Sequence, residues 1–225
     1  MSENNDINQD LVREKILSFI LSVKEKKQTA LQVFVAVILL ILGPLYYNDS
    51  NSLKQREVKT LMGQAQNLYI DSQFDNAVDD FNKILNEYPK TESVQLAKLY
   101  LAMDYINNDL KDDAFLLLEE LSVTLKDDIL RSSVLNMLGN NCIDNNDYEC
   151  ALNYYKSALS IHNYNSFNDD YTINVAKTYK YMKQYESAIN VLDELLKKDD
   201  LRFNFKNDAE QLKAEINVLV LNKTN

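Results

Sequence analysis

The sequence predicts an all-α protein, with an N-terminal transmembrane helix followed by an α-solenoid of four helical hairpins and a C-terminal capping helix. Three observations lead to this fold class. The 225 residues include only three Gly and two Pro, which is far below average usage and argues against a turn-rich β fold. One long apolar run lies near the N-terminus. Further along the chain, small residues recur at a constant spacing of 37.

The apolar run predicts a transmembrane helix over 29–47. Residues 30–47 are apolar except for Gln32, and with Thr29 the segment approaches the roughly 20 residues that cross a bilayer. Tyr46 and Tyr47 end the run, where an interfacial aromatic belt would lie. The alternatives are a buried core helix and a cleaved signal peptide. Against the second, the preceding region is longer than a signal n-region and no Ala-x-Ala-like site follows.

The flanking charges predict the orientation of this helix. Lys24, Lys26 and Lys27 lie just before the run, and the next basic residue after it is Lys54. Because positive charge concentrates on the cytoplasmic side, we expect residues 1–28 to form a cytoplasmic tail and the rest of the chain to lie outside the cytoplasm.

Two shorter segments flank the predicted span. The tail carries an apolar stripe of helical spacing over 11–23, which fits either an amphipathic helix on the inner membrane face or a short solvated helix. After the span we expect a juxtamembrane linker at 48–53.

The 37-residue spacing predicts the solenoid, over 54–201. It is carried by Ala77, Ala114, Ala151 and Ala188, and a second small residue lies twelve positions before each of them: Ala65, Ala102, Gly139 and Ala176. Two antiparallel helices approach closely only where side chains are small, so each pair of small residues marks one hairpin crossing. The expected helices are 54–72, 74–87, 92–108, 111–125, 128–145, 148–161, 169–183 and 185–198. A ninth helix, 205–221, lies within the final segment 202–225 and would cap the last repeat.

These segments resemble the tetratricopeptide repeat, in which an aromatic residue stands three positions before the alanine of the second helix. Phe74, Tyr148 and Tyr185 keep that residue, whereas Lys111 replaces it in the second repeat. The resemblance implies a tetratricopeptide-type α-solenoid. The period is 37 rather than 34, so the links between repeats should be longer.

No motif for catalysis is present. The chain has one histidine, His162, and two cysteines, too few for a usual structural zinc site, and it has no phosphate-binding Gly-rich loop or nucleophile elbow. We expect His162 to lie in a solvated loop. The sequence thus predicts no enzyme, no cofactor, no metal and no small-molecule substrate. The net charge of −10 makes nucleic acid an unfavourable partner as well.

Cys142 and Cys150 flank the expected turn of the third hairpin symmetrically about Asn146. Opposed positions of a helical hairpin can bring two Cα atoms within disulfide range, and a compartment outside the cytoplasm would permit oxidation. The alternative is that both are small buried residues.

The resemblance also implies a ligand-binding groove along the first helix of each repeat. The corresponding positions are Met62, Gln66, Tyr69, Ile70, Leu99, Met103, Ile106, Asn107, Asn136, Asn140, Asp144, Lys177, Lys180 and Tyr181. The half nearest the span would be apolar and Met-bearing, as suits promiscuous peptide binding, unless Leu99 and Ile106 pack between repeats. Tetratricopeptide repeats that bind the C-terminal carboxylate of a chaperone use Lys and Asn at two positions where this chain has Met62 and Gln66. These two residues provide no charge for a carboxylate, so this subfamily is not expected.

The layout resembles the ancillary SecYEG translocon subunit family of bacteria, most closely from Tyr88 through Ala97 and Tyr100 to Ala102. This resemblance implies a single-pass protein of the bacterial inner membrane, with its N-terminus in the cytoplasm and its repeats in the periplasm. Its partners would be translocon subunits, membrane-anchored or periplasmic chaperones, and unfolded clients. The alternatives are a structural scaffold in envelope or outer-membrane assembly, and an enzyme or enzyme subunit.

Overall fold

The computed structural model describes residues 13–15, 17–18, 27–161 and 167–224. All regular structure in these ranges is helical, which confirms the all-α class. The stripe at 11–23 lies mostly outside the described residues, although 13–15 and 17–18 are helical. His162 also lies outside them.

The helices are α1 (Lys27–Ile70), α2 (Phe74–Glu87), α3 (Ser93–Asn107), α4 (Lys111–Thr124), α5 (Asp128–Asp144), α6 (Tyr148–Ile161), α7 (Asn168–Tyr181), α8 (Tyr185–Leu196) and α9 (Phe203–Thr224). The chain divides into two compact units between Glu57 and Val58. The helices from α2 onward lie close to the predicted ones. The linker predicted at 48–53 is instead part of α1, which is 44 residues long. Because that segment contains neither Gly nor Pro, no residue in it forces a helix to end.

The structure does not show the transmembrane helix predicted over 29–47. Within the part of the chain that the structure describes, no helix is both long and apolar enough to cross a membrane.

Small residues lie at the crossing of each hairpin, as the spacing predicts. All eight are buried, and the seven alanines among them have 0% exposure. Four positions after the alanine of each second helix lies a large buried side chain: Phe81, Leu118, Tyr155 and Leu192. The core consists of four clusters, each of which joins one hairpin to the first helix that follows it. Ala209, Leu212 and Ile216 of α9 complete the last cluster, so α9 caps the final hairpin.

The four hairpins share one turn conformation. Ser72, Asp109, Asn146 and Lys183 have φ angles of 60°, 61°, 59° and 58°, again 37 residues apart. In the first turn, the N–H of Gln73 donates to the Leu68 carbonyl (2.9 Å) and that of Ser72 donates to the Tyr69 carbonyl (3.1 Å). The same pair of bonds recurs in the other three turns. This is the Schellman motif, and the next helix begins directly after it.

Lys183 is poorly suited to a left-handed conformation, which Asp109 and Asn146 tolerate better and in which glycine has no Cβ to strain. We predict that Lys183→Gly raises the free energy of unfolding by about 0.5–1 kcal/mol, measured by urea denaturation. Lys183→Ala keeps the Cβ and should have almost no effect. Destabilisation by Lys183→Gly would contradict this assignment of the turn.

Repeat three uses Gly139 where the other repeats use alanine, because Tyr155 fills the adjoining space. A Cβ at Gly139 would lie 2.7 Å from Cδ1 and 2.9 Å from Cζ of the Tyr155 ring, and closer still to Cε1. Since Tyr155 is 2% exposed, its ring cannot swing into solvent. The other repeats pair alanine with Phe81, Leu118 or Leu192.

We therefore predict that Gly139→Ala lowers the free energy of unfolding by about 1–2 kcal/mol, since overpacking exceeds the roughly 1 kcal/mol gained in helix propensity. In a Tyr155→Leu background, which reproduces the pairs of repeats two and four, the same change should be neutral or stabilising. A double-mutant cycle from chemical denaturation measures this coupling. If Gly139→Ala changed the free energy of unfolding equally in both backgrounds, the proposed dependence of Gly139 on the Tyr155 ring would be refuted.

Candidate protein-binding face

The first helices of the hairpins carry the predicted groove residues, but two of these residues are inaccessible. Met62 is 4% exposed and Leu99 is 7% exposed, and both belong to core clusters. The prediction that they line an open groove is therefore wrong. They lie three residues before the small residue of the crossing, in clusters that contain the second helix of the same hairpin and the first helix of the next one.

The apolar character expected for this half of the face is largely absent from its surface. Met103 and Ile106 are half-buried and pack against the same cluster as Leu99, which favours the alternative of packing between repeats. Ile70 alone among the predicted apolar residues is well exposed, at 74%. We define the polar face as the exposed and half-exposed predicted residues that remain: Gln66, Tyr69, Asn107, Asn136, Asn140, Asp144, Lys177, Lys180 and Tyr181.

Side-chain amides link successive first helices across the polar face. Asn107 of α3 donates through Nδ2 to the Tyr69 hydroxyl of α1 (3.1 Å). Asn174 of α7 donates in the same way to Oδ1 of Asn136 on α5 (3.1 Å). The partners in each pair are 38 residues apart, one residue more than the repeat period of 37. These bonds orient the amides.

Two residues that form hydrogen bonds on this face, Asn174 and Tyr100, were not among the groove residues that the sequence analysis selected. Besides Asn174, Tyr100 contributes its hydroxyl, which accepts a hydrogen bond from Nε2 of Gln66 (3.3 Å). Asn174 lies 38 residues after Asn136, the same separation as Asn107 from Tyr69, so a search 38 residues from each predicted residue would have found it. No comparable pattern in the sequence indicated that Tyr100 would contribute to this face.

Asn140 is held by the large residue of its own hairpin. The Tyr155 hydroxyl donates to Oδ1 of Asn140 (2.6 Å). Burial raises the pKa of Tyr155 well above its usual value, and nearby Asp170 and Asp144 raise it further, so the phenol keeps its proton and remains a donor. Asn140 itself is exposed, and its amide nitrogen is the group that it can offer to a ligand.

The far end of the polar face combines cations with an aromatic ring. A cleft of about 270 Å³ between α7 and α9 is lined by Lys177, Lys180, Tyr181, Asp208, Gln211, Leu212 and Glu215. Lys180 forms a salt bridge with Glu215 (3.1 Å), which lowers the pKa of the Glu215 carboxyl. Tyr181 stacks on Tyr148 with 5.5 Å between ring centroids. Lys177 is exposed, so a ligand in this cleft meets one accessible ammonium group.

The two cysteines lie at the turn edge of hairpin three. Their Sγ atoms are 2.09 Å apart and their Cα atoms 5.8 Å apart, which is disulfide distance. The bridge links the last turn of α5 to the first turn of α6, next to Asp144, whose carboxylate lies 2.9 Å from Nζ of Lys111. It therefore adjoins the polar face. Elsewhere, the described residues include no group of His, Cys, Asp or Glu side chains arranged to hold a metal ion.

Comparison with known proteins identifies the fold. No family model and no curated protein matches the chain. Solved structures do match. One contains the TPR-like repeats of a Podosopora anserina protein assigned as a kinesin light chain. It matches with a TM-score of 0.57 and 17% sequence identity, and the match covers 71% of this chain and 85% of that chain. MamA matches with TM-score 0.53, 17% identity and the same two coverages. YrrB, described as a TPR protein with an unusual peptide-binding site, matches with TM-score 0.53, 11% identity, 78% of this chain and 97% of that chain.

These matches confirm the tetratricopeptide-type repeat fold. At such low identity they show the fold alone, and none of these three is described as a translocon subunit. The groove assignments therefore depend on the geometry of this chain.

The bridge between Cys142 and Cys150 predicts a redox-dependent stability. It closes a loop with a sequence separation of 8, so its reduction should lower the free energy of unfolding by about 2–3 kcal/mol, measured by urea denaturation with and without a phosphine reductant. The Cys142→Ala/Cys150→Ala variant should not respond to the reductant. Two alkylatable thiols in non-reducing mass spectrometry of periplasmically expressed protein would reject the bridge.

Proposed function

We propose that this chain is a protein-binding adaptor, and that an extended polypeptide segment binds along the polar face. The observation that carries the proposal is the row of amide side chains on successive first helices, at Gln66, Asn107, Asn136 and Asn140. Each amide uses one of its groups in the hydrogen bonds described above and keeps a further donor or acceptor, so the row can pair with the main chain of a peptide of any sequence. Such a face acts by binding and not by catalysis.

The ends of the polar face suggest where side-chain specificity arises. At the far end, Lys177 and the half-exposed ring of Tyr181 fit a segment with an acidic group close to an apolar or aromatic one, because a ring face and an ammonium group lie together there. At the other end, Ile70 provides an exposed apolar contact. The salt bridge of Lys180 with Glu215 gives the cleft a fixed edge.

We further propose that the segment 29–47 anchors the chain in a membrane and that the repeats lie on its outer side. This part depends on the sequence and on the side chains of α1 that the structure describes. Leu31, Phe34, Leu39 and Leu40 are 62–74% exposed, and apolar side chains exposed in such a continuous stretch need cover from lipid or protein. The proposed partners are translocon subunits and their chaperones, by resemblance of layout.

Site-specific photocrosslinking in membranes of producing cells tests this function. A photoreactive residue at Asn107 or Lys177 should give protein adducts. The control is the same residue at Asn153, which is exposed on α6, the second helix of its hairpin. Adducts of equal yield at Asn153, or none at Asn107 and Lys177, would contradict binding on the polar face.

The same experiment tests the finer proposals separately. Before crosslinking, washing the membranes at alkaline pH should leave the chain in the pellet, and deleting 29–47 should release it. Release of the full chain would refute the anchor but not the binding face. Translocon or chaperone subunits among the adducts would support that partnership, and envelope-assembly proteins would indicate a scaffold instead.

A further inference from the structure

A second exposed surface lies on α4, the second helix of hairpin two, away from the polar face. Leu116 is 66% exposed and Val123 is 80% exposed. They are seven residues apart, so they lie on one side of the helix about 10 Å from each other. Neither is among the side chains that pack against the core clusters.

The repeat provides an internal reference for these two positions. One period away, the residues equivalent to Leu116 are Asp79, Asn153 and Asn190, and those equivalent to Val123 are Asn86, Ser160 and Lys197. All six are polar and exposed. The fold thus requires a solvated side chain at both positions, and hairpin two alone places apolar groups there. Single exposed apolar residues are common on protein surfaces, but a pair that departs from three matched repeats on the same stripe needs a reason.

Acidic residues surround this pair. Asp112 and Glu119 lie on the same stripe as Leu116 and Val123, with Glu120 beside them. Glu120 is paired with Lys98 (2.5 Å), and Glu119 accepts a hydrogen bond from the Tyr154 hydroxyl (3.3 Å). Asp112, in the first turn of α4, complements the helix dipole. Glu119 lies in mid-helix, where the dipole does not account for it, and in the described residues it forms no salt bridge.

We propose that this α4 stripe (Asp112, Leu116, Glu119, Glu120 and Val123) is a docking surface for a basic amphipathic helix of a partner protein. Two apolar anchors one heptad apart match the spacing of anchors on a helix. The carboxylates on the same stripe select Lys and Arg beside those anchors, as charge complementarity requires. The acidic rim disfavours anionic lipid, and the net charge of −10 disfavours a second copy of the chain.

This surface does not depend on the proposed function, because it lies on the other helix of the hairpin and uses none of the residues of the polar face. A partner helix on α4 would leave that face open. The two sites together would let one chain hold a partner while it binds a polypeptide segment.

Fluorescence anisotropy with a designed peptide helix tests the proposal on the full-length protein in mild detergent. The probe carries two leucines seven residues apart, flanked by lysines, and the matched peptide replaces the lysines with glutamates. The variant Leu116→Asn/Val123→Ser installs the residues of hairpin three at both positions, so it should fold. We expect it to weaken binding of the lysine peptide at least about tenfold, since each anchor loses the burial of an apolar side chain. Glu119→Gln should also weaken binding.

The matched control is Asn153→Ala/Ser160→Ala on α6, which should leave the affinity unchanged. Equal affinity of the original protein and the Leu116→Asn/Val123→Ser variant, or equal affinity for the two peptides, would overturn the proposal. So would sedimentation showing that the original protein self-associates and the variant does not, because the occupant would then be a second copy. Crosslinking from Asn107 and Lys177 should be the same in the variant, so failure on α4 is distinguishable from failure of the polar face.

Discussion

The close crossing of two helices within each hairpin is the constraint on which the rest of the structure depends. Seven alanines and Gly139 occupy the four crossings, all buried. With the axes this close, one large residue per hairpin, such as Phe81 or Tyr155, fills the space beside the crossing. The Schellman turns hold the same geometry from the end of each hairpin. Crossing, filler and turn all repeat every 37 residues, because each hairpin packs on the next in the same way.

The candidate binding face follows from that regularity. Because successive first helices stack in the same way, residues one period plus one position apart come into contact. The bonds from Asn107 to Tyr69 and from Asn174 to Asn136 both have this separation. The residues of this face therefore hold their positions through the stacking of the repeats. Hairpin three adds two local features, the Tyr155 hydroxyl on Asn140 and the sulfur bridge at its turn. The α4 stripe is different, because it departs from the repeat.

Sequence reasoning predicted the features that depend on local spacing. The crossings and most helix bounds follow from small residues at fixed intervals within one hairpin. It missed features that depend on neighbouring hairpins or on backbone conformation. Met62 and Leu99 have the spacing of groove residues, but both are buried in core clusters that join their own hairpin to the next one. The positions of the hairpin turns were expected, but their left-handed conformation at Ser72, Asp109, Asn146 and Lys183 was not, because no glycine marks these positions. The segment 48–53 is rich in Asn and Ser, yet α1 continues through it because nothing there breaks a helix.

Amide hydrogen exchange along the chain tests the central claim most directly. If the crossings hold the repeats together, the slowest amides should lie within one turn of Ala65, Ala102, Gly139 and Ala176 and of their partners on the second helices. Protection should then rise and fall with a period of 37 residues through all four hairpins. Slow exchange confined to one hairpin, or strongest at the helix ends remote from the crossings, would contradict the account.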